Sequence, residues 1–165
     1  MTSTTTTNFL GIPVDGDIVR GDKRTAQRPL DEFAPILQAV LDDPTVAEFG
    51  WRQYTPYFND GDPCVFSGTG VWVRLTTTDP YADTDSLDVK YGDGHLGKRP
   101  IQWNGRQEVD LPYEGTDEAR YDRCVALSDA VESGAFDDVL LDAFGDHAEV
   151  TVSRSGIKVE FYEHD

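Results

Sequence analysis

The sequence predicts an α+β fold: a small antiparallel sheet, made of a meander plus a C-terminal hairpin, with about three helices packed on one face. Three observations carry this expectation. Apolar residues recur at helical spacing in some stretches and alternate at strand spacing in others. The two patterns come in blocks, in the order helix, strands, helices, strands. The chain of 165 residues has the size of one domain, and we see no internal repeat.

The chain opens on a Ser/Thr-rich stretch, Met1 to Thr7, without the basic and apolar segments of a signal peptide. Phe9, Leu10, Ile12 and Val14 then form an apolar patch broken by Gly11 and Pro13, expected to lie as irregular chain or an edge strand against the core or a neighbour. Residues 1–29 read as a flexible arm, and residues 30–165 as a single domain. The first helix is expected over 31–42, where Phe33, Ile36, Leu37, Val40 and Leu41 make one buried stripe. Asp31 is placed to cap it, with Pro35 near the first turn. Strands follow at 48–57 and 64–68, joined through Asn59-Asp60-Gly61-Asp62, and at 70–76, where Val71, Val73 and Leu75 alternate with Trp72 and Arg74. These three form the meander. Residues 77–104 are irregular, with short strands expected near 87–91 and 101–103. Thr116 is expected to cap a second helix over 117–133, burying Tyr121, Cys124, Val125 and Val131 and ending at Gly134. Phe136, Val139, Leu140 and Phe144 mark a third helix, ended by Gly145. The final hairpin alternates Ala148, Val150 and Val152, then Ile157, Val159 and Phe161, about Ser153-Arg154-Ser155-Gly156.

Charge narrows the function. The chain carries 31 acids against 14 bases, a net charge of −17. That excludes a nucleic-acid binder relying on broad phosphate contacts, except by mimicry of nucleic acid, and it excludes docking on anionic lipid. No apolar run is long enough to cross a membrane. Asp outnumbers Glu and Arg outnumbers Lys, a bias that also suits a salt-rich or high-GC source. Arg20, Lys23, Arg24 and Arg28 stand against Asp22 alone, so this segment is locally basic, net +3, and the rest of the chain carries −20. It reads as an arm that lies on its own acidic body or reaches a partner.

One segment has a signature. Residues 51–66 read Trp-Arg-Gln-Tyr-Thr-Pro-Tyr-Phe-Asn-Asp-Gly-Asp-Pro-Cys-Val-Phe. This resembles the run Trp-x-Gln-Tyr-Thr-Pro-Tyr-Phe-Asn-Asp-Gly-Asp-x-Cys-x-Phe of uncharacterised bacteriophage and prophage proteins, in which a short helix comes before it. The resemblance spans residues 46–73. It implies a phage-related setting and assigns no reaction. From the residues themselves two readings stand. The aromatics supply core area and Asn59-Asp60-Gly61 fix a turn. Alternatively Trp51, Gln53, Tyr54, Tyr57, Asn59, Asp60 and Asp62 line a polar aromatic site for a small ligand or peptide.

Other chemistry is sparse. Cys64 and Cys124 form no Cys-x-x-Cys and are expected as buried free thiols. His95, His147 and His164 belong to no His-Glu-x-x-His pattern, and His147 reads as a strand-edge residue. His147-Ala148-Glu149 matches half of a zinc-deaminase signature, without its cysteines. Gly92-x-Gly94-x-x-Gly97 precedes Lys98-Arg99-Pro100 rather than a helix, so it reads as a loop and not a dinucleotide site. The acids between Asp79 and Asp93 lack the EF-hand spacing. No metal or cofactor is expected. The leading expectation is a non-catalytic phage-related accessory protein, in the host cytoplasm, that binds a host protein or a small polar ligand. The alternatives are a virion component whose arm contacts neighbouring subunits, and a small enzyme.

Overall fold

The computed structural model describes residues 7–16 and 25–165. The basic residues Arg20, Lys23 and Arg24 lie outside them. Two short strands, β1 (Thr7–Phe9) and β2 (Ile12–Val14), pair antiparallel. Leu10 and Gly11 both take positive φ at the turn between them, as a two-residue hairpin turn requires. Phe9, Leu10 and Ile12 are exposed, so this patch does not settle on the core as the sequence suggested.

Helix α1 (Leu30–Leu41) starts one residue earlier than expected. Pro29, in extended conformation, is its cap position and no side chain caps it. Asp31 sits inside the first turn, where its charge complements the helix dipole. Pro35 lies further in than the first turn. Helix α2 (Glu118–Glu132) is capped by Asp117, whose carboxylate accepts from the Arg120 N–H at 3.0 Å. The cap is thus one residue beyond Thr116. Its buried face carries Cys124, Leu127, Ser128 and Val131. Helix α3 (Asp137–Phe144) ends at Gly145 with φ of 80°.

Among the described residues the main sheet has four antiparallel strands in the order β4-β3-β7-β8. They are β3 (Val46–Tyr54), β4 (Ser67–Leu75), β7 (Ala148–Ser153) and β8 (Gly156–Phe161). Here the expected meander is corrected. Residues 67–75 form one strand running through Gly68 and Gly70, not two. Gly68 permits this because α2 crosses there: a Cβ on it would lie 2.6 Å from Val131 Cγ1. The third strand on β3 comes from the C-terminal hairpin, through the Phe49↔Val152 and Gln53↔Ala148 register. Residues 55–66 form a loop rather than strand ends. Pro56 and Pro63 offer no N–H to a ladder, and Cys64 is exposed, not buried.

Alternation sorts the sheet into two faces. Phe49, Trp51 and Gln53 of β3, Val71, Val73 and Leu75 of β4, and Ala148, Val150 and Val152 of β7 point into the core beneath the helices. Each large apolar side chain buried there contributes about 2–3 kcal/mol. Arg52, Tyr54, Trp72, Arg74, Glu149 and Thr151 point to the other face. Residues 76–97 fold over the β4 side of that face. Their Thr84–Leu87 turn is 3-10 helical, and Asp88 bridges Trp72. The expected strand at 87–91 is therefore an isolated bridge. It covers the β4 edge, with Val89 N–H donating to Val71 O at 2.9 Å. The acids of this segment make its turns: Asp79, Asp83 and Asp88 accept from the N–H groups of Tyr81, Asp85 and Lys90. A separate ribbon, β5 (Ile101–Asn104) and β6 (Gln107–Asp110), is exposed. Among the described residues no helix is long and apolar enough to cross a membrane.

Gln53 ties this arrangement together. Its Oε1 accepts from Trp51 Nε1 at 2.9 Å, and its Nε2 donates to Leu140 O and Gly145 O at 2.9 and 2.7 Å. Both N–H donors and the carbonyl oxygen of the buried amide are thus engaged. Gln53→Leu takes the partner from a buried indole N–H and the Gln53 donors from Leu140 O and Gly145 O, so we expect a loss of about 3 kcal/mol in urea unfolding. A loss below about 0.5 kcal/mol overturns this role.

Candidate functional site

The outer face of β3, β7 and β8 is the face the helices leave open. At one end of it the chain gathers five rings. Tyr54 closes β3, and Tyr57 stands on the loop that follows. His147 precedes β7, and Tyr162 and His164 follow β8. The hairpin register accounts for the meeting. Ala148 pairs with Phe161, so the next pair outward is His147 and Tyr162, and Tyr162 N–H donates to His147 O at 2.7 Å. Tyr54 and His164 reach the same face by the two-residue period.

The two histidines form the centre. His147 Nδ1 and His164 Nε2 are 2.8 Å apart. Their ring centroids are 5.0 Å apart with planes at 22°. The rings therefore meet edge to edge, nitrogen facing nitrogen, with one donating and the other accepting. Two ligands of one metal ion would instead aim both lone pairs at a shared third point. Among the described residues no group of three or more His, Cys, Asp or Glu is placed to hold a metal. Tyr57 lies over both imidazoles, at 5.0 Å and 23° from His147 and 4.4 Å and 9° from His164. Tyr54 packs on His164 at 4.2 Å and on Tyr162 at 5.4 Å. The Arg52 guanidinium sits 4.8 Å from the Tyr162 ring, a cation on an aromatic face.

Asp146 fixes the geometry. Its carboxylate accepts from Thr55 N–H at 2.8 Å, Thr55 Oγ1 at 2.7 Å and its own neighbour's N–H, His147, at 2.8 Å. This pins the first residue of the 55–66 loop to the start of β7. His147 takes φ of 51°, a left-handed conformation open to a minority of non-glycine residues. Burial alone would raise the Asp146 carboxyl, but the Thr55 and His147 hydrogen bonds prevail and hold it below its ordinary value.

The sequence-predicted site residues separate into three groups. Trp51 and Gln53 are both 0% exposed and belong to the core, so neither meets a ligand arriving from solvent. Tyr54 and Tyr57 join the ring cluster. Asn59, Asp60 and Asp62 sit at the exposed loop tip. There Asn59 Nδ2 donates to Pro63 O at 3.2 Å, and Asp60 and Gly61 take positive φ. The tip is a turn, distinct from the cluster. Arg28 of the basic segment is engaged with its own chain, paired to Glu32 at 2.6 Å and lying 5.1 Å from the Phe136 ring.

His147, His164, Tyr162 and Asp146 were not in the predicted site. Nothing in their local sequence marks them. The signal lay in extending the hairpin alternation outward, one residue before β7 to His147 and one and three residues past β8 to Tyr162 and His164. The remaining thiol and imidazole serve packing. Cys124 is buried and its thiol is pushed up to about 12 by that burial. His95 is lowered by burial, and its Nε2 lies 2.6 Å from Val73 O. Two open hollows, about 860 and 460 Å³, lie elsewhere, one lined by Arg28, Val139 and Leu141 and the other by Asp43, Thr45 and Arg123. Compared with family models, curated proteins and solved structures, the chain matches none.

Two outcomes follow from this geometry. A carboxyl held low in the folded state adds stability that is present above its ordinary 3.8 and is lost as pH falls through the lower folded value. Thr55→Val is therefore expected to cost about 1 kcal/mol at pH 7, and that penalty to shrink as pH falls below 3.8 through the lower folded value. Unfolding titrations at pH 7 and through the acid range check it. With a thiol-specific disulfide reagent, Cys64 reacts promptly and Cys124 only after unfolding. Two prompt thiols contradict the burial described.

Proposed function

We propose that this protein acts by binding another protein, and that the surface it uses is the ring cluster with the loop beside it. The observation that carries the reading is exposure. Tyr57 is 60% and Phe58 77% exposed. Large aromatic side chains held out to solvent on an anchored scaffold are what interaction surfaces present. Tyr57 is stacked and the loop base is fixed by Asp146, so little ordering entropy remains to be lost on contact. Tyr57 and Phe58 stand out to solvent rather than line an enclosed cleft, which favours a protein surface over a small polar ligand.

The partner's chemistry follows from charge. A body of net charge −17 selects a surface with basic residues around an apolar recess. In the phage-related setting that the Trp51–Phe66 run suggests, the partner is a host protein and the site of action is the host cytoplasm. The test uses the tagged chain as bait in expressing host cells, beside a Tyr57→Ser, Phe58→Ser chain of unchanged circular dichroism and melting temperature. One host protein is expected with the parent chain. Its affinity for the double variant is expected to fall by about 30-fold, the size of a hot-spot loss near 2 kcal/mol. Equal affinity for both chains, or no specific partner, refutes the proposal.

A further inference from the structure

Strand β8 ends the main sheet, with β7 on one side and, among the described residues, no strand on the other. Its residues Ile157, Val159 and Phe161 are 51, 46 and 71% exposed. They share the face of Ala148, Val150 and Val152, the residues opposite them on β7, which are buried. The helices thus cover that face as far as β7 and stop.

The backbone of the same residues is also open. In an antiparallel ladder, hydrogen-bonded and non-bonded pairs alternate. Tyr162 bonds to His147, so Phe161, Val159 and Ile157 fall in the non-bonded pairs. Their N–H and C=O groups point away from β7, toward the free edge. Natural edge strands are commonly blunted by proline, a bulge or inward charge. β8 has no proline, its register with β7 runs without a shift, and its two charges, Lys158 and Glu160, point to the outer face and pair with each other at 2.6 Å.

We propose that this edge is a self-association surface, and that its occupant is β8 of a second copy of this chain. The sequence Ile157-Lys158-Val159-Glu160-Phe161 is self-complementary about its centre. Placed antiparallel with a two-fold axis at Val159, Ile157 faces Phe161 of the second copy, and the outward backbone groups of Ile157, Val159 and Phe161 all find partners. The same register sets Lys158 opposite Glu160 of the second copy, and Glu160 opposite Lys158. Opposite charges directly across a ladder stabilise it. The four-stranded sheet of each copy joins into one of eight, and the apolar strip on its helix side becomes continuous. This is an isologous contact, closed by its own symmetry.

The pairing predicts a charge-swap pattern that no effect on folding mimics. Sedimentation equilibrium of the full chain, in about 0.15 M salt so that distant charges are screened while facing ones are not, is expected to show a reversible dimer. Lys158→Glu alone and Glu160→Lys alone each set like charges across the interface and are expected to weaken it by about tenfold. An equimolar mixture of those two chains restores opposite charges at every facing pair, so mixed dimers form at parental strength. The double variant Lys158→Glu, Glu160→Lys recovers a homodimer. A parent chain that stays monomeric at its highest soluble concentration overturns the proposal. So do single variants that dimerise like the parent, or a mixture that does no better than its components.

Discussion

The buried amide of Gln53 is the constraint from which the rest of the open face is built. Its three hydrogen bonds join the central strand, the Trp51 indole and the C-terminal end of α3. Because Gly145 is one of those partners, the chain leaves α3 at a fixed point. The next residue, Asp146, then reaches back to Thr55, two positions beyond Gln53 and just past the end of β3. The loop carrying Tyr57 and the histidine carrying the edge-to-edge contact are thus held by one short circuit of polar bonds around β3. Core and surface are coupled through a side chain that has no exposure of its own. A polar residue buried so deeply is tolerated because every donor and acceptor is matched, and specificity of position is what it supplies.

Periodicity made much of this fold legible, and its failures have a common cause. The stripe of α1, the ends of α2 and α3 at Gly134 and Gly145, and the alternation of β7 and β8 were all readable because each depends on neighbours within a few residues. The meander failed because it depends on crossing elements. Gly68 and Gly70 looked like strand breaks, yet one of them is the space α2 needs against β4. The nearby strand β4 does pair with β3, but the neighbour on its other side, β7, comes from about a hundred residues away, a pairing no local pattern encodes.

The site divides along the same line. The aromatic run from Trp51 to Phe58 held both readings at once, because strand alternation sends its residues to opposite faces. Trp51 and Gln53 turn inward and Tyr54 outward, so a single string contributes both an anchor and a surface. The histidines were illegible for a different reason. Each is a lone residue in its own segment, and their meeting depends on the β7–β8 register, the turn of His147 and the path of the chain after β8.

The acidity also looks different once the fold is known. Asp exceeds Glu by more than two to one, and the sequence alone allowed that bias to be assigned to the source. Six of the aspartates have a local task. Asp43, Asp79, Asp83, Asp88, Asp117 and Asp146 each accept from a backbone N–H within a few residues. Only the short side chain does this well, since an extra methylene carries the carboxylate past its own turn. A chain with long irregular stretches between its strands needs such turns, and aspartate makes them at the cost of charge. The excess is then partly a by-product of how the loops are built. What remains is a surface whose self-repulsion disfavours casual association. Contacts on it must bring their own complementarity, as the Lys158 and Glu160 pattern of β8 does, or meet a partner whose charge is opposite.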